Sequence, residues 1–312
     1  MRILLTGSSG RLGRRVALKL HRNHYVVGID SRPPNCFPIE IENHQIDLRR
    51  RTAENILKEG KFDAVMHMGV THNFRFSNEE HYTRNIFSTE KLLQLIVKYH
   101  IKKLVLLSSG DVYGPIATNS HFIDEDAPLM ASQSSTGMRT LVAVDRAVQS
   151  FFWRHNEIET VILRPCHIVG PHVRNAASKY LRLNIVPTLM GYDPMLQLIS
   201  EEDLLPLVEN ALMPGVRGVF NLAGTEPVPL HYILKILNKP TLPLPYVVLK
   251  TFLEHAFKSR MVSFAPPELD HIRFNAVLDT RRSQEVLGAK ITRFLEKILK
   301  PFKAGSLYPG SS

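Results

Sequence analysis

Directly after an apolar run at residues 2–5, the chain reads Thr6-Gly7-Ser8-Ser9-Gly10-Arg11-Leu12-Gly13. Apolar residues then recur with helical spacing over residues 11–22. Glycine at the turn permits a positive φ angle, and glycine at the start of the helix lets a ligand approach the backbone closely. The first turn of a helix also presents free N–H groups and the positive end of its dipole. The stretch therefore predicts a strand, a phosphate-binding turn and a helix.

Strand and helix signals alternate along the first half of the chain. Further apolar runs typical of strands lie at residues 25–29, 64–68, 103–107 and 159–163, and helical periodicity covers residues 82–99 and 140–153. Apolar strands that alternate with helices predict a parallel sheet covered on both faces. We therefore predict an α/β protein with a doubly wound, Rossmann-type parallel sheet.

An acidic residue ends the second predicted strand. Asp30 follows Gly13 by 17 residues, close to the ~20 expected between a glycine turn and the acidic residue that binds an adenosine ribose. The turn and this spacing together predict a bound dinucleotide, NAD. A carboxylate accepts hydrogen bonds from both ribose hydroxyls and repels a 2′-phosphate, so NAD is favoured over NADP. Arg32 argues the other way, because a guanidinium there could pair with that phosphate.

Prolines become frequent beyond the first half, and helical signals continue at residues 249–257, 283–287 and 291–299. We predict an NAD-binding Rossmann domain over residues 1–170, to which residues 197–225 return. We predict that residues 171–312 form mainly a smaller, C-terminal substrate-binding subdomain.

Composition narrows the class of protein further. The chain has 312 residues, 44% of them hydrophobic, and a formal net charge of +10. No apolar run approaches the roughly 18 residues that span a bilayer, so we expect a cytoplasmic protein without a membrane span. The positive charge suits an anionic ligand, but no aromatic-rich basic motif favours nucleic acid as a partner. The two cysteines, Cys36 and Cys166, have no metal-binding spacing, and we predict no metal site.

Seven motifs occur in a fixed order along the chain: residues 6–13, 46–48, 63–69, Asn85, 107–114, 163–171 and 220–224. This series resembles the extended short-chain dehydrogenase/reductase superfamily, in its NAD-dependent epimerase/dehydratase family. The resemblance covers residues 1 to about 225. It implies action on a nucleotide sugar or a related hydroxylated small molecule, and it leaves a homodimer open.

The resemblance also implies site residues. Those expected at the cofactor are Gly7, Ser9, Gly10, Arg11, Leu12, Gly13, Asp30, Asp47, Leu48, Met68, Gly69, Asn85, Ser108, Pro165 and His167. The catalytic candidates are Ser109, at the position of the serine that orients the substrate hydroxyl, and Asp111, where dehydratases carry an acidic residue.

One part of the family pattern is missing. A Tyr-x-x-x-Lys pair should follow at the start of the next helix, where the tyrosine takes the substrate proton as hydride leaves. Residues 131–141 contain neither Tyr nor Lys. Three interpretations stay open: binding without redox chemistry, as in a sensor or scaffold; proton transfer by Ser109, Asp111 or His167; or a tyrosine from elsewhere, either Tyr113 or Tyr180.

Overall fold

The computed structural model describes residues 1–34, 41–71, 75–133, 136–262, 265–291 and 295–303. Its strands are β1 (Arg2–Thr6), β2 (Tyr25–Asp30), β3 (Glu42–Gln45), β4 (Ala64–His67), β5 (Lys103–Leu107), β6 (Glu159–Pro165), β7 (His167–Val169), β8 (Val186–Leu189), β9 (Met195–Leu196), β10 (Leu198–Ser200), β11 (Gly218–Leu222), β12 (Val228–Pro229) and β13 (Thr241–Leu244). Cys36 lies outside the described residues.

The α-helices are α1 (Arg11–Leu20), α2 (Arg51–Gly60), α3 (Asn78–His81), α4 (Ser88–Lys98), α5 (Thr136–Arg154), α6 (Ala176–Leu181), α7 (Glu201–Asn210), α8 (Leu230–Ile236), α9 (Tyr246–Lys258), α10 (Arg281–Leu287) and α11 (Leu295–Leu299). Short 3₁₀ helices cover Gly110–Tyr113, Ala131–Gln133, Pro266–Ile272 and Lys300–Phe302. Within the described residues, no helix is both long enough and apolar enough to cross a membrane.

Seven strands form one parallel sheet in the order β11-β6-β5-β4-β1-β2-β3. Successive side chains of a strand point to opposite faces. Ile3 and Leu5 of β1 accordingly pack into a core with Val16 of α1, whereas Leu4 packs on the other face with Leu92 of α4. The sheet is covered on both faces, which confirms the predicted doubly wound α/β fold.

The predicted helix over residues 82–99 differs from the structure in one respect. It begins earlier, with α3, and residues Tyr82–Phe87 form a π-helical turn before α4. Apolar periodicity indicates which face of a helix is buried, but it does not distinguish an i→i+4 from an i→i+5 hydrogen-bond pattern. Such π turns occur frequently at functional sites, and Asn85 lies within this one.

Beyond β6 the chain forms three two-stranded sheets, β10-β7, β12-β9 and β13-β8. A further apolar core lies beneath them, with Leu198, Leu230, Leu249 and Leu269 among its buried residues. Because β11 pairs with β6, the chain also returns to the edge of the main sheet. The division at residue 170 stays a prediction.

Candidate functional site

The glycine turn between β1 and α1 is built so closely that side chains would not fit. Gly7 has φ +76°, and a Cβ there would lie 2.6 Å from the Met68 carbonyl oxygen. A Cβ on Gly13 would lie 2.1 Å from the Gly7 carbonyl oxygen. Gly10 precedes the first turn of α1, and no side chain caps that end of the helix. The N–H groups of the first turn of α1 are therefore available to an anion such as a pyrophosphate.

Asp30 and Arg32, which support opposite cofactor preferences, are paired with each other. Asp30 is almost completely buried, and its Oδ2 accepts hydrogen bonds from Ser9 N at 3.1 Å and Arg32 Nη2 at 2.7 Å. Its Oδ1 accepts from Arg32 Nε at 3.0 Å. Asp30 thus anchors the glycine turn, and any phosphate that attracts Arg32 must compete with this carboxylate.

A single cleft of about 980 Å³ runs from this turn past the ends of β4, β5 and β6. Its wall includes most of the residues expected at the cofactor, namely Gly7, Gly10, Arg11, Leu12, Gly13, Asp30, Asp47, Leu48, Met68, Gly69, Ser108, Pro165 and His167. Both catalytic candidates, Ser109 and Asp111, also line it. Residues that are far apart in sequence meet here because the carboxyl ends of parallel strands lie at one edge of the sheet.

Ser9 and Asn85 are placed behind this wall. The Ser9 hydroxyl donates to the Arg32 carbonyl at 3.2 Å. The buried Asn85 amide holds Thr71, accepting from its N at 2.8 Å and donating to its carbonyl at 3.0 Å. Thr71 itself lines the cleft, so in this structure Asn85 shapes the site through a neighbour.

The end of β5 carries the serines of the predicted active-site strand. Ser108 Oγ donates to Asp145 Oδ2 at 2.6 Å, across to α5. Ser109 Oγ accepts from Asp111 N at 3.1 Å and caps the short helix Gly110–Tyr113. This cap orients the Asp111 backbone while its carboxylate lines the cleft.

Tyr113, one of the two tyrosines considered as a substitute, belongs to a buried network outside the cleft wall. Its hydroxyl donates to Asn221 Oδ1 at 2.8 Å and accepts from Arg164 Nη1 at 2.7 Å. Arg164 and Asp145 form a salt bridge at 2.6 Å, with both side chains 0% exposed. Burial raises the pKa of Tyr113 to about 12. A neutral phenol held in this way is a poor proton acceptor at neutral pH.

The second candidate, Tyr180 on α6, does line the cleft. Its hydroxyl donates to the Pro187 carbonyl at 2.7 Å, and burial raises its pKa. The Tyr180 hydroxyl is thus hydrogen-bonded to the backbone and, like the Tyr113 hydroxyl, strongly favours its protonated form.

A group of titratable side chains lies near Asp111, and sequence reasoning missed half of it. His167 in β7 and His271 in the helix Pro266–Ile272 meet edge to face, with ring centroids 5.3 Å apart. His271 Nε2 lies 3.9 Å from Asp111 Oδ1, and burial lowers the pKa of His271 to about 4. Burial raises the pKa of nearby Glu268 to about 7, and the charge of Asp111 adds to the shift. Only a proline-rich segment marks this region in the sequence, and nothing in it indicates proximity to Asp111.

The cleft also carries basic side chains away from the glycine turn. Arg84, Arg174 and Lys179 line its wall, and the Arg84 guanidinium lies 4.8 Å from the centre of the Phe76 ring. Arg75 donates to the Val262 carbonyl at 2.7 Å and so joins the region before α3 to the region after α9. These charges favour an anionic ligand.

Comparison with known proteins identifies relatives of this chain. The profile of the NAD dependent epimerase/dehydratase family matches residues 3–186. An uncharacterised protein of Mycobacterium tuberculosis is 23% identical over 296 residues, covering 92% of this chain and 79% of its own. The UDP-glucose 4-epimerase of Dictyostelium discoideum is 29% identical over 223 residues, which are 64% of each chain.

Solved structures show the same fold. A UDP-glucuronic acid 4-epimerase from Bacillus cereus, in complex with UDP-glucuronic acid and NAD, superposes with a TM-score of 0.75 at 19% identity, covering 96% of this chain and 97% of its own. A short-chain dehydrogenase/reductase superfamily protein from Agrobacterium tumefaciens with bound NAD gives a TM-score of 0.73 at 20% identity, covering 96% and 95%.

Proposed function

Because this chain belongs to the NAD-dependent epimerase/dehydratase family, we propose that it binds NAD and acts on a nucleotide sugar or a related hydroxylated substrate. The observation that carries the proposal is the continuous cleft from the glycine turn to Ser109 and Asp111. Its volume of about 980 Å³ lies at the upper end of the range for small-molecule sites, about 300–1,000 Å³. One cleft therefore has room for cofactor and substrate side by side.

The residues present fit the dinucleotide. A pyrophosphate would lie against Gly10 and the first turn of α1, where the backbone N–H groups are free of side-chain caps. The adenosine ribose would meet Asp30, and the adenine would meet Asp47 and Leu48, all of which line the cleft. When bound, NAD supplies the hydride acceptor, and the chain's own residues position the groups around it.

The substrate region favours an anionic molecule with a polar sugar. Arg84, Arg174 and Lys179 suit a diphosphate, which agrees with the nucleotide-sugar ligands named for structural neighbours. Ser109 and Asp111 would then face the reacting hydroxyl. The buried hydroxyl of Tyr113 and the bond of the Tyr180 hydroxyl to the Pro187 carbonyl argue against a relocated tyrosine. Ser109, Asp111 and His167 therefore stay as the candidates for proton transfer.

The second candidate function is an NAD-dependent sensor or scaffold without turnover. It is favoured by residues 131–141, which lack Tyr and Lys; Ser134 and Ser135 of that segment lie outside the described residues. The two functions share the cofactor site and differ in whether an added nucleotide sugar is converted to a product.

Calorimetric titration with NAD, NADH and NADP tests cofactor binding, which both candidate functions require. We expect NAD to bind, and we expect Gly10→Trp to abolish binding, because a Cβ on Gly10 already lies 3.1 Å from the Gly7 carbonyl oxygen and 3.1 Å from Arg32 Nη2. The matched control is Arg22→Trp, at an exposed position just beyond the other end of α1. A wild-type protein that binds no dinucleotide at millimolar concentration refutes the proposal. Chromatographic analysis of UDP-sugars incubated with the protein and NAD then separates the enzyme, which converts one of them, from the sensor, which leaves them unchanged.

A further inference from the structure

We propose that Asp111, His167 and His271 form a binding site for a divalent transition-metal ion of the zinc class on the wall of the cleft. The three side chains come from three separate segments: the short helix after β5, strand β7 and the short helix Pro266–Ile272. One donor atom from each lies within 4.8 Å of the other two. Two imidazoles and one carboxylate are the protein ligands of many zinc sites that keep a coordination position open.

The distances suit a shared ion better than direct hydrogen bonds. His271 Nε2 is 3.9 Å from Asp111 Oδ1, which is too long for a hydrogen bond. Two ligands that are each about 2.1 Å from a tetrahedral zinc ion lie roughly 3.4 Å apart. The donors, which lie within 4.8 Å of one another, therefore need to approach by about 1.4 Å at most for binding, which side-chain rotations can supply.

One nitrogen of the His271 ring has no hydrogen-bond partner among the described residues. This nitrogen, Nδ1, is buried, and the other, Nε2, lies 3.9 Å from Asp111 Oδ1. A buried polar atom without a partner is costly and calls for an explanation such as a functional role of the residue. An ion bound at Nε2 would fix the orientation of the His271 ring.

The charge around the three ligands also favours a cation. The carboxyl-bearing residues Asp111 and Glu268 both line the cleft, and a carboxylate ligand offsets part of the charge of a divalent ion. Imidazole nitrogens select zinc-like or ferrous ions over Mg²⁺ and Ca²⁺, which prefer oxygen ligands. We therefore expect binding of Zn²⁺ and Co²⁺ and no comparable binding of Mg²⁺.

The metal would also assist removal of the substrate proton, which is the role of the Tyr and Lys that are missing here. This part of the inference rests on the proposed function. A substrate hydroxyl in the open position would bind the ion through oxygen, which lowers the pKa of the hydroxyl. Its O–H bond would break with the proton passing to water, and the C–H bond would break with hydride passing to NAD. The substrate would become a carbonyl compound, and NAD would become NADH.

The experiment measures zinc directly, so that it does not depend on turnover. The purified protein is stripped with a chelator, titrated with Zn²⁺ in competition with a chromophoric chelator, and dialysed for metal analysis. We expect one equivalent of Zn²⁺ in the wild type and a loss of affinity of at least about 10-fold in Asp111→Asn, His167→Gln and His271→Gln. The matched control is His121→Gln, at an exposed position, which should bind as the wild type does.

Three further measurements distinguish loss of a metal ligand from loss of folding. Circular dichroism melts verify folding, and His271→Cys, which restores a zinc ligand, should recover affinity relative to His271→Gln. Visible absorption of the Co²⁺ form should change in each ligand variant. Wild-type protein that retains no Zn²⁺, or ligand variants that bind it as tightly as His121→Gln, overturns the proposal. NAD titration of the metal-free protein shows separately whether the cofactor proposal holds.

Discussion

The buried ion pair behind the β5 serines allows a quantitative prediction. Arg164 donates to Asp145 through Nη2 at 2.6 Å and Nε at 3.0 Å, and Ser108 Oγ donates to the same carboxylate at 2.6 Å. Both charged side chains are 0% exposed. In Asp145→Asn the guanidinium would stay buried without its counter-charge, which typically costs 3–5 kcal/mol. This is a large share of the roughly 5–15 kcal/mol that keeps a protein folded.

Urea unfolding followed by far-ultraviolet circular dichroism measures this cost. We expect the free energy of unfolding to fall by about 3–5 kcal/mol in Asp145→Asn. The matched control is Asp279→Asn, because Asp279 also pairs with an arginine, Arg281, whose side chain is 83% exposed. Because the Arg281 partner is open to water, that pair should contribute no more than about 1 kcal/mol. Equal losses in the two variants would refute the assignment of Asp145 as a buried counter-ion.

Three more predictions follow from the site. The wild type should bind NAD more tightly than NADP, and Arg32→Ala should widen the preference by about fivefold, equivalent to about 1 kcal/mol; calorimetry that finds NADP bound at least as tightly as NAD would contradict the assignment of Asp30. Burial lowers the pKa of His67 to about 4, so the folded ring stays neutral while the unfolded ring takes up a proton below about pH 6.5. The free energy of unfolding should therefore decrease from pH 6.5 to pH 5 by about 2 kcal/mol more in the wild type than in His67→Gln; identical slopes in denaturation series would exclude this. Finally, Tyr113→Phe and Tyr180→Phe should each change the rate of UDP-sugar conversion, followed by chromatography of the product, by less than the roughly 100-fold expected for loss of an acid–base group. A larger loss in a variant that stays folded would identify a relocated tyrosine.

The amino-acid sequence alone determined the features that depend on local spacing. Residues 6–13 predict a strand, a glycine turn and a helix, because turn geometry and apolar periodicity are encoded over a few neighbouring residues. The same holds for the alternation of strands and helices, and hence for the parallel sheet. The absence of Tyr and Lys from residues 131–141 is likewise a property of the sequence.

Only the tertiary structure decided which of these side chains are available to a ligand. Their positions in the sequence indicate opposite effects of Asp30 and Arg32 on the choice between NAD and NADP. In the folded protein the two side chains form a salt bridge with each other. Tyr113 follows Ser109 closely in the chain, yet its hydroxyl is bonded to Arg164 and Asn221 in a buried network. Burial and hydrogen bonding of this kind depend on elements that meet only after folding, so a local pattern cannot predict them.

The proximity of Asp111 and His271 is another feature that a local sequence pattern cannot predict. The two residues are separated by 160 positions, and no periodicity or motif connects them. They come within 3.9 Å because the helix Pro266–Ile272 contributes His271 to the wall of the same cleft that Asp111 lines. The sequence predicts that a dinucleotide-binding edge exists. The packing of the C-terminal segment against that edge decides which titratable groups face the substrate, because this placement results from long-range burial of apolar surface rather than from local conformational preference.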